Sequence, residues 1–111
     1  ETAAACDILV CCIALTPETR GIVSEEIFDC LHDGAIFVNV ARGALADEAA
    51  LTKWLQNGGY AVLDVFEEEP LPESTPLWEM ENVVLTPHNS FVGEGNRARL
   101  WGCIQEALGL L

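Results

Sequence analysis

Short apolar runs separated by helix-patterned stretches constrain this chain more than any other feature. Residues 7–15, 35–40, 60–66 and 83–86 each read as a strand, rich in Val, Ile, Leu and Phe with little polar alternation. Runs of that kind belong to a parallel sheet buried on both faces, with helices as crossovers. Between the first two, Ser24 caps a short helix whose Ile27, Phe28 and Leu31 share a face, and Gly34 ends it. Asp47 is the natural N-cap of the next helix, in which Leu51, Trp54 and Leu55 fall at helical spacing before Asn57-Gly58-Gly59 closes it. Residues 67–82 hold six glutamates and three prolines, and predict a long surface loop with one turn at 76–80. Residues 96–110 set Leu100, Ile104 and Leu108 four apart with Trp101 beside them, an amphipathic helix. The pattern predicts an α/β fold of three layers.

At 111 residues the chain makes at most one domain. Eighteen acidic against five basic residues give a formal charge of −13, which repels nucleic-acid phosphates and anionic lipid surfaces. No apolar run approaches the roughly 20 residues of a membrane helix, and "ETAAACD" lacks a basic leader, so a cytoplasmic location is expected. The five cysteines show neither C-x-x-C spacing nor paired histidines, so no metal site is expected and the thiols read as reduced. Cys11 and Cys12, inside "ILVCCIAL", read as small core fillers.

Ligands of open parallel sheets bind at the carboxyl ends of the strands. Those exits read "LTPET" (15–19), "VARG" (40–43), "DVFEEEP" (64–70) and "TPHNS" (86–90), which gathers Arg42, Asp64, Glu67 to Glu69 and His88 along one edge. A guanidinium grips a carboxylate through two hydrogen bonds, so Arg42 suits anchoring an organic acid; a structural salt bridge is the competing explanation. Pro87 stiffens the approach to His88. A carboxylate such as Glu69 beside the ring would favour the cationic imidazole, as a group that holds and then donates a proton requires. A solvated loop histidine is the alternative. His32, near a predicted helix end, needs no more than a macrodipole or solvent role.

Four ordered motifs, "LTPETRGIV", "DGAIFVNVARGALADEAAL", "LDVFEEEP" and "PLWEMENVVLTPHNS", together resemble the D-isomer-specific 2-hydroxyacid dehydrogenase family over essentially the whole chain. The resemblance implies a Rossmann-like, NAD- or NADP-binding domain, of which this chain is the C-terminal half. It also implies reduction of 2-keto acids to 2-hydroxy acids, and a homodimeric full-length parent. By resemblance, Arg42 binds the substrate carboxylate and His88 is the general acid. Glu69 tunes that histidine, leaving Glu67 and Glu68 as solvated loop residues, and Asp64 accepts from the nicotinamide carboxamide. Cofactor contacts are implied for Ile13, Ala14, Thr19, Val40 and Ala41, and for Arg42 and His88.

The G-x-G-x-x-G turn that holds a pyrophosphate on a helix N-terminus is absent from the sequence, as is the acidic residue about 20 positions on. A dinucleotide is therefore expected to bind the isolated chain weakly. The alternatives are a non-catalytic half-Rossmann module for binding or oligomerisation, and an inactive gene fragment.

Overall fold

The computed structural model describes residues 6–109. Strands β1 (Ile8–Cys11), β2 (Ile36–Asn39), β3 (Tyr60–Leu63) and β4 (Val83–Leu85) form one sheet in the order β1-β2-β3-β4, with every neighbouring pair parallel. Helix α1 (Glu25–Cys30) joins β1 to β2, α2 (Glu48–Gln56) joins β2 to β3, and α3 (Asn96–Ala107) follows β4. This is the expected α/β, Rossmann-like arrangement.

The strands are shorter than their apolar runs because a strand lasts only as long as its partner. The β1–β2 ladder ends where the Val40 amide donates to the Cys11 carbonyl, so residues 12–15 leave the sheet and Ile13 and Leu15 reach the surface. Cys12 is exposed with them. Core filling thus holds for Cys11, whose thiol burial pushes upward in pKa, and fails for Cys12. Likewise β3 stops at Leu63, where the Thr86 amide supplies the last rung.

In register, Leu9, Phe37, Ala61 and Val83 point to one face, as do Cys11, Asn39, Leu63 and Leu85. Helices α1 and α2 cover that face. Phe28 of α1 meets Phe37 edge-on at 5.2 Å and stacks on Trp54 of α2 at 5.3 Å. Burying each such ring contributes roughly 1.5–3 kcal/mol. Gly59 is forced by the same packing, since a Cβ there would fall 2.4 Å from the Trp54 ring. Asp47 caps α2 as expected, its Oδ1 accepting from the Ala50 amide at 2.9 Å. Ser24 occupies the N-cap of α1 but turns its hydroxyl to Glu26 instead of the backbone. That helix ends at Cys30, short of Gly34. The predicted turn in the acidic loop is a single 3-10 turn, Pro76–Glu79, which buries Leu77.

The opposite sheet face is where expectation and structure part. Ile8, Val10, Tyr60 and Val84 are each half exposed, so among the described residues the sheet is covered on one face only. Helix α3 carries its apolar stripe, Leu100, Trp101 and Leu108, toward solvent and buries no residue. No described segment packs there as a third layer.

Candidate active site

Because the four strands run parallel, their carboxyl ends open on a single edge, and the turns beyond them carry Arg42, Asp64, Glu67, Glu69 and His88. Beyond β2 the chain must reverse within three residues. Asn39, 2% exposed, fixes that turn: its Oδ1 accepts from the Ala41 amide at 3.1 Å and its Nδ2 donates to the Arg42 carbonyl at 2.9 Å. Gly43 then passes so close to the backbone of Phe66 and Glu67 that a Cβ would sit 2.0 Å from the Phe66 carbonyl carbon. The Arg42 guanidinium is left at the surface. Its Nη1 donates to the Ala41 carbonyl at 2.6 Å, and it pairs with no carboxylate among the described residues. Among the described residues, then, no structural salt bridge explains Arg42. Arg20 behaves differently, donating to Glu67 at 2.9 Å, so Glu67 is ion-paired rather than simply solvated.

His88 and Glu69 are brought together. The His88 Nδ1 lies 2.7 Å from Glu69 Oε2, and Glu69 Oε1 accepts from the Phe66 amide at 2.9 Å. The hydrogen bond from His88 is the chief reason the Glu69 carboxyl sits below the usual carboxylate range; the Phe66 amide assists, and the charge of Arg42 adds to it. An ionised Glu69 accepts only, which assigns the Nδ1 proton to the histidine and leaves Nε2 for another group. The His88 backbone has φ of +51°, a left-handed conformation that costs a non-glycine residue about 1–2 kcal/mol.

Asp64 holds that turn. Only 1% exposed, it accepts from the Thr86 hydroxyl and the Asn89 amide through Oδ1 and from the Ser90 amide through Oδ2. Oδ1 thus accepts two of these bonds and Oδ2 one, and the expected hydrogen bond to a nicotinamide carboxamide would be a further use of the same carboxylate. Burial opposes its charge, but the bonds from Thr86, Ser90 and Asn89 outweigh burial and hold the carboxyl well below its ordinary range.

A pH dependence follows. Asp64 and Glu69 bind protons more weakly folded than unfolded, so their stabilisation is complete above the unfolded carboxylate values near 4 and is lost as pH falls below them. Urea unfolding between about pH 6 and about pH 2 should show stability declining below about pH 4, with a shallower decline in Asp64→Asn.

The implied cofactor contacts divide by exposure. Ile13 and Val40 are 44% and 37% exposed at adjacent exits. Thr19 is tied into its own loop, donating to the Ala14 carbonyl at 2.8 Å and accepting from the Thr16 amide at 2.7 Å. The Ala41 amide and carbonyl are likewise used internally. A cavity of about 610 Å³ adjoins His88 and Glu69, walled by Phe66, Leu71, Trp78 and Leu85. Asn39 and Thr86 join the site without a motif to mark them; the one sequence signal for Asn39 is a lone polar residue in the apolar run "IFVNV".

The model of the family described as D-isomer specific 2-hydroxyacid dehydrogenase, NAD binding domain, matches residues 1–90. The chain belongs to this family. A D-isomer specific 2-hydroxyacid dehydrogenase from Xanthobacter autotrophicus Py2, solved with NADPH and MES, is 42% identical with a TM-score of 0.78 over 96% of this chain and 46% of that one. An NADPH-dependent glyoxylate/hydroxypyruvate reductase from Sinorhizobium meliloti, solved with NADP and sulfate, is 32% identical with a TM-score of 0.78 over 96% and 35%. An uncharacterised protein of Corynebacterium melassecola is 45% identical over 94 residues, 83% of this chain and 31% of its own length. The chain thus spans less than half of each of these relatives. As a 2-hydroxyacid dehydrogenase NAD-binding domain it is a nucleotide-binding unit by family. Among its described residues no helix is long and apolar enough to cross a membrane, and no three His, Cys, Asp or Glu side chains converge as metal ligands.

Proposed function

We propose that this chain supplies half of the active site of an NAD- or NADP-dependent dehydrogenase that reduces 2-keto acids to 2-hydroxy acids. The observation that carries this reading is Arg42, an arginine with no carboxylate partner among the described residues, on the same strand-exit edge as a hydrogen-bonded His88–Glu69 pair. The exposed apolar side chains of Ile13 and Val40 at the neighbouring exits fit a flat heteroaromatic ring such as nicotinamide. That ring, when bound, supplies the hydride. Arg42 holds the substrate carboxylate through its planar fork and offers positive charge to the carbonyl oxygen as it gains electrons. His88 delivers a proton from Nε2 to that oxygen while Nδ1–H stays on Glu69, and in the other direction Nε2 takes the proton from the hydroxyl.

The family resemblance extends the proposal to a partial nucleotide-binding domain within a longer, homodimeric, cytoplasmic parent. A non-catalytic association module is favoured by the bare sheet face, but it leaves Arg42, without a carboxylate partner among the described residues and on the same strand-exit edge as the His88–Glu69 pair, without a purpose.

The test is a chimera in which this chain replaces the matching segment of the Xanthobacter enzyme. Arg42→Ala should lower kcat/KM for a 2-keto acid about 10²–10³-fold, with KM rising, and should leave dinucleotide affinity within about twofold. Unchanged kinetics would remove the carboxylate anchor from the account.

A further inference from the structure

The turn that carries His88 is held from beneath by a carboxylate that faces the protein interior. We propose that Asp64 is a positioning residue for the proton donor, acting through the backbone of residues 86–90 and never touching substrate. The inference rests on reading His88 as the general acid.

Three donors converge on Asp64 from one short turn, and they bracket His88 in sequence: the Thr86 hydroxyl before it, the Asn89 and Ser90 amides after it. Within the bracket the His88 amide donates to the Thr86 carbonyl at 3.0 Å, two residues back, which closes a tight turn on Pro87. Such closure throws the next residue into an unusual conformation, and His88 takes φ of +51°. A left-handed residue persists only where its surroundings over-determine it. Without a carboxylate beneath the turn, the Asn89 and Ser90 amides would lose their acceptors and the extended conformation would be favoured. The imidazole would then swing off Glu69.

The carboxylate itself is fixed from the other side. The Asp64 amide donates to the Asn39 carbonyl at 3.0 Å, and the Asn39 side chain grips the Ala41 amide and the Arg42 carbonyl. Asn39 and Asp64 therefore form one buried polar link between the turn bearing the guanidinium and the turn bearing the imidazole. The expected role of Asp64 toward the carboxamide would leave the left-handed histidine unexplained; the tether explains it.

Asp64→Asn tests the inference, because the amide keeps the shape but replaces one accepting oxygen with a donor, while the Asn89 and Ser90 amides can only donate. The readout is the ¹⁵N shift pattern of the His88 ring in the folded 111-residue chain. In its neutral form the ring should be the Nδ1–H tautomer, the form left once Nε2 has given up its proton. Asp64→Asn should shift it toward Nε2–H and move the Asn89 and Ser90 amide resonances, and in a Glu69→Gln background it should shift the ring no further. In the chimera the same variant should lower kcat about 10–100-fold with KM for the keto acid held within about twofold. A folded Asp64→Asn chain with an unshifted His88 ring would overturn the proposal. Should Asp64→Asn not fold, Thr86→Val decides, with an altered tautomer restored in Thr86→Ser supporting the tether and an unaltered one refuting it. If the ring shifts while His88→Ala costs the chimera no activity, the tether stands and the catalytic reading of His88 fails.

Discussion

His88→Ala in the chimera should lower turnover of a 2-keto acid about 10²–10⁴-fold, the usual contribution of a positioned general acid, with dinucleotide affinity within about twofold. The magnitude follows from what the ring has around it. Its Nδ1 is committed to Glu69 at 2.7 Å, and Glu69 is itself anchored by the Phe66 amide, so Nε2 is aimed by two successive hydrogen bonds rather than by solvent. No second imidazole can take over, since His32, the other histidine, lies beyond α1 and its ring bonds to Asp33 and Asp7. Steady-state kinetics with a fluorescence titration of the dinucleotide separate the two effects. A loss of only a fewfold would show that the proton comes from elsewhere.

The second large effect is structural. Gly43→Ala places a Cβ 2.0 Å from the Phe66 carbonyl carbon and 2.3 Å from the Glu67 nitrogen, and all the nearest obstacles are backbone. Either the Arg42 turn or the loop leading to Glu69 must move, so the variant disturbs the anchor and the acid's partner at once. The expected loss is about 3 kcal/mol or more, at the severe end for a single substitution, or a fall in melting temperature of about 10–20 °C. Gly102→Ala is the control: its site is open and lies inside α3, where alanine is the better helix former, so its melting temperature should hold or rise slightly. Equal melting temperatures for both variants would mean that the close approach of the two loops does not matter.

These contrasts show what the amino-acid pattern could reveal. Continuous apolar runs identified the four strands among the described residues, and apolar residues at helical spacing the three helices. The ends of the strands were not legible: the apolar run continues through Ile13 and Leu15, but those residues leave the sheet when the ladder to β2 ends. The amphipathic stripe of α3 is legible as a pattern, but a stripe reports a face that could be covered and not what covers it, and here it faces solvent. At the site, Arg42, Glu69 and His88 could be named from their place at the strand exits and from the family resemblance of the motifs that hold them. Asn39 and the tethering role of Asp64 could not, because both act through backbone groups of turns whose geometry appears only once the chain has folded. Gly43 was legible as a turn residue, yet its reason is the neighbouring loop at Phe66, 23 positions away, since 66 − 43 = 23.

The central claim is that the strand-exit edge of this chain is the keto-acid half of a dehydrogenase site. The most direct measurement is reduction of a 2-keto acid by the unmutated chimera with NADH and with NADPH, followed by loss of the reduced nicotinamide. Turnover is expected with at least one of the two, abolished to background by the double substitution Arg42→Ala and His88→Ala. A folded chimera that binds dinucleotide and reduces no 2-keto acid, or one that turns over equally well without those two side chains, would contradict it.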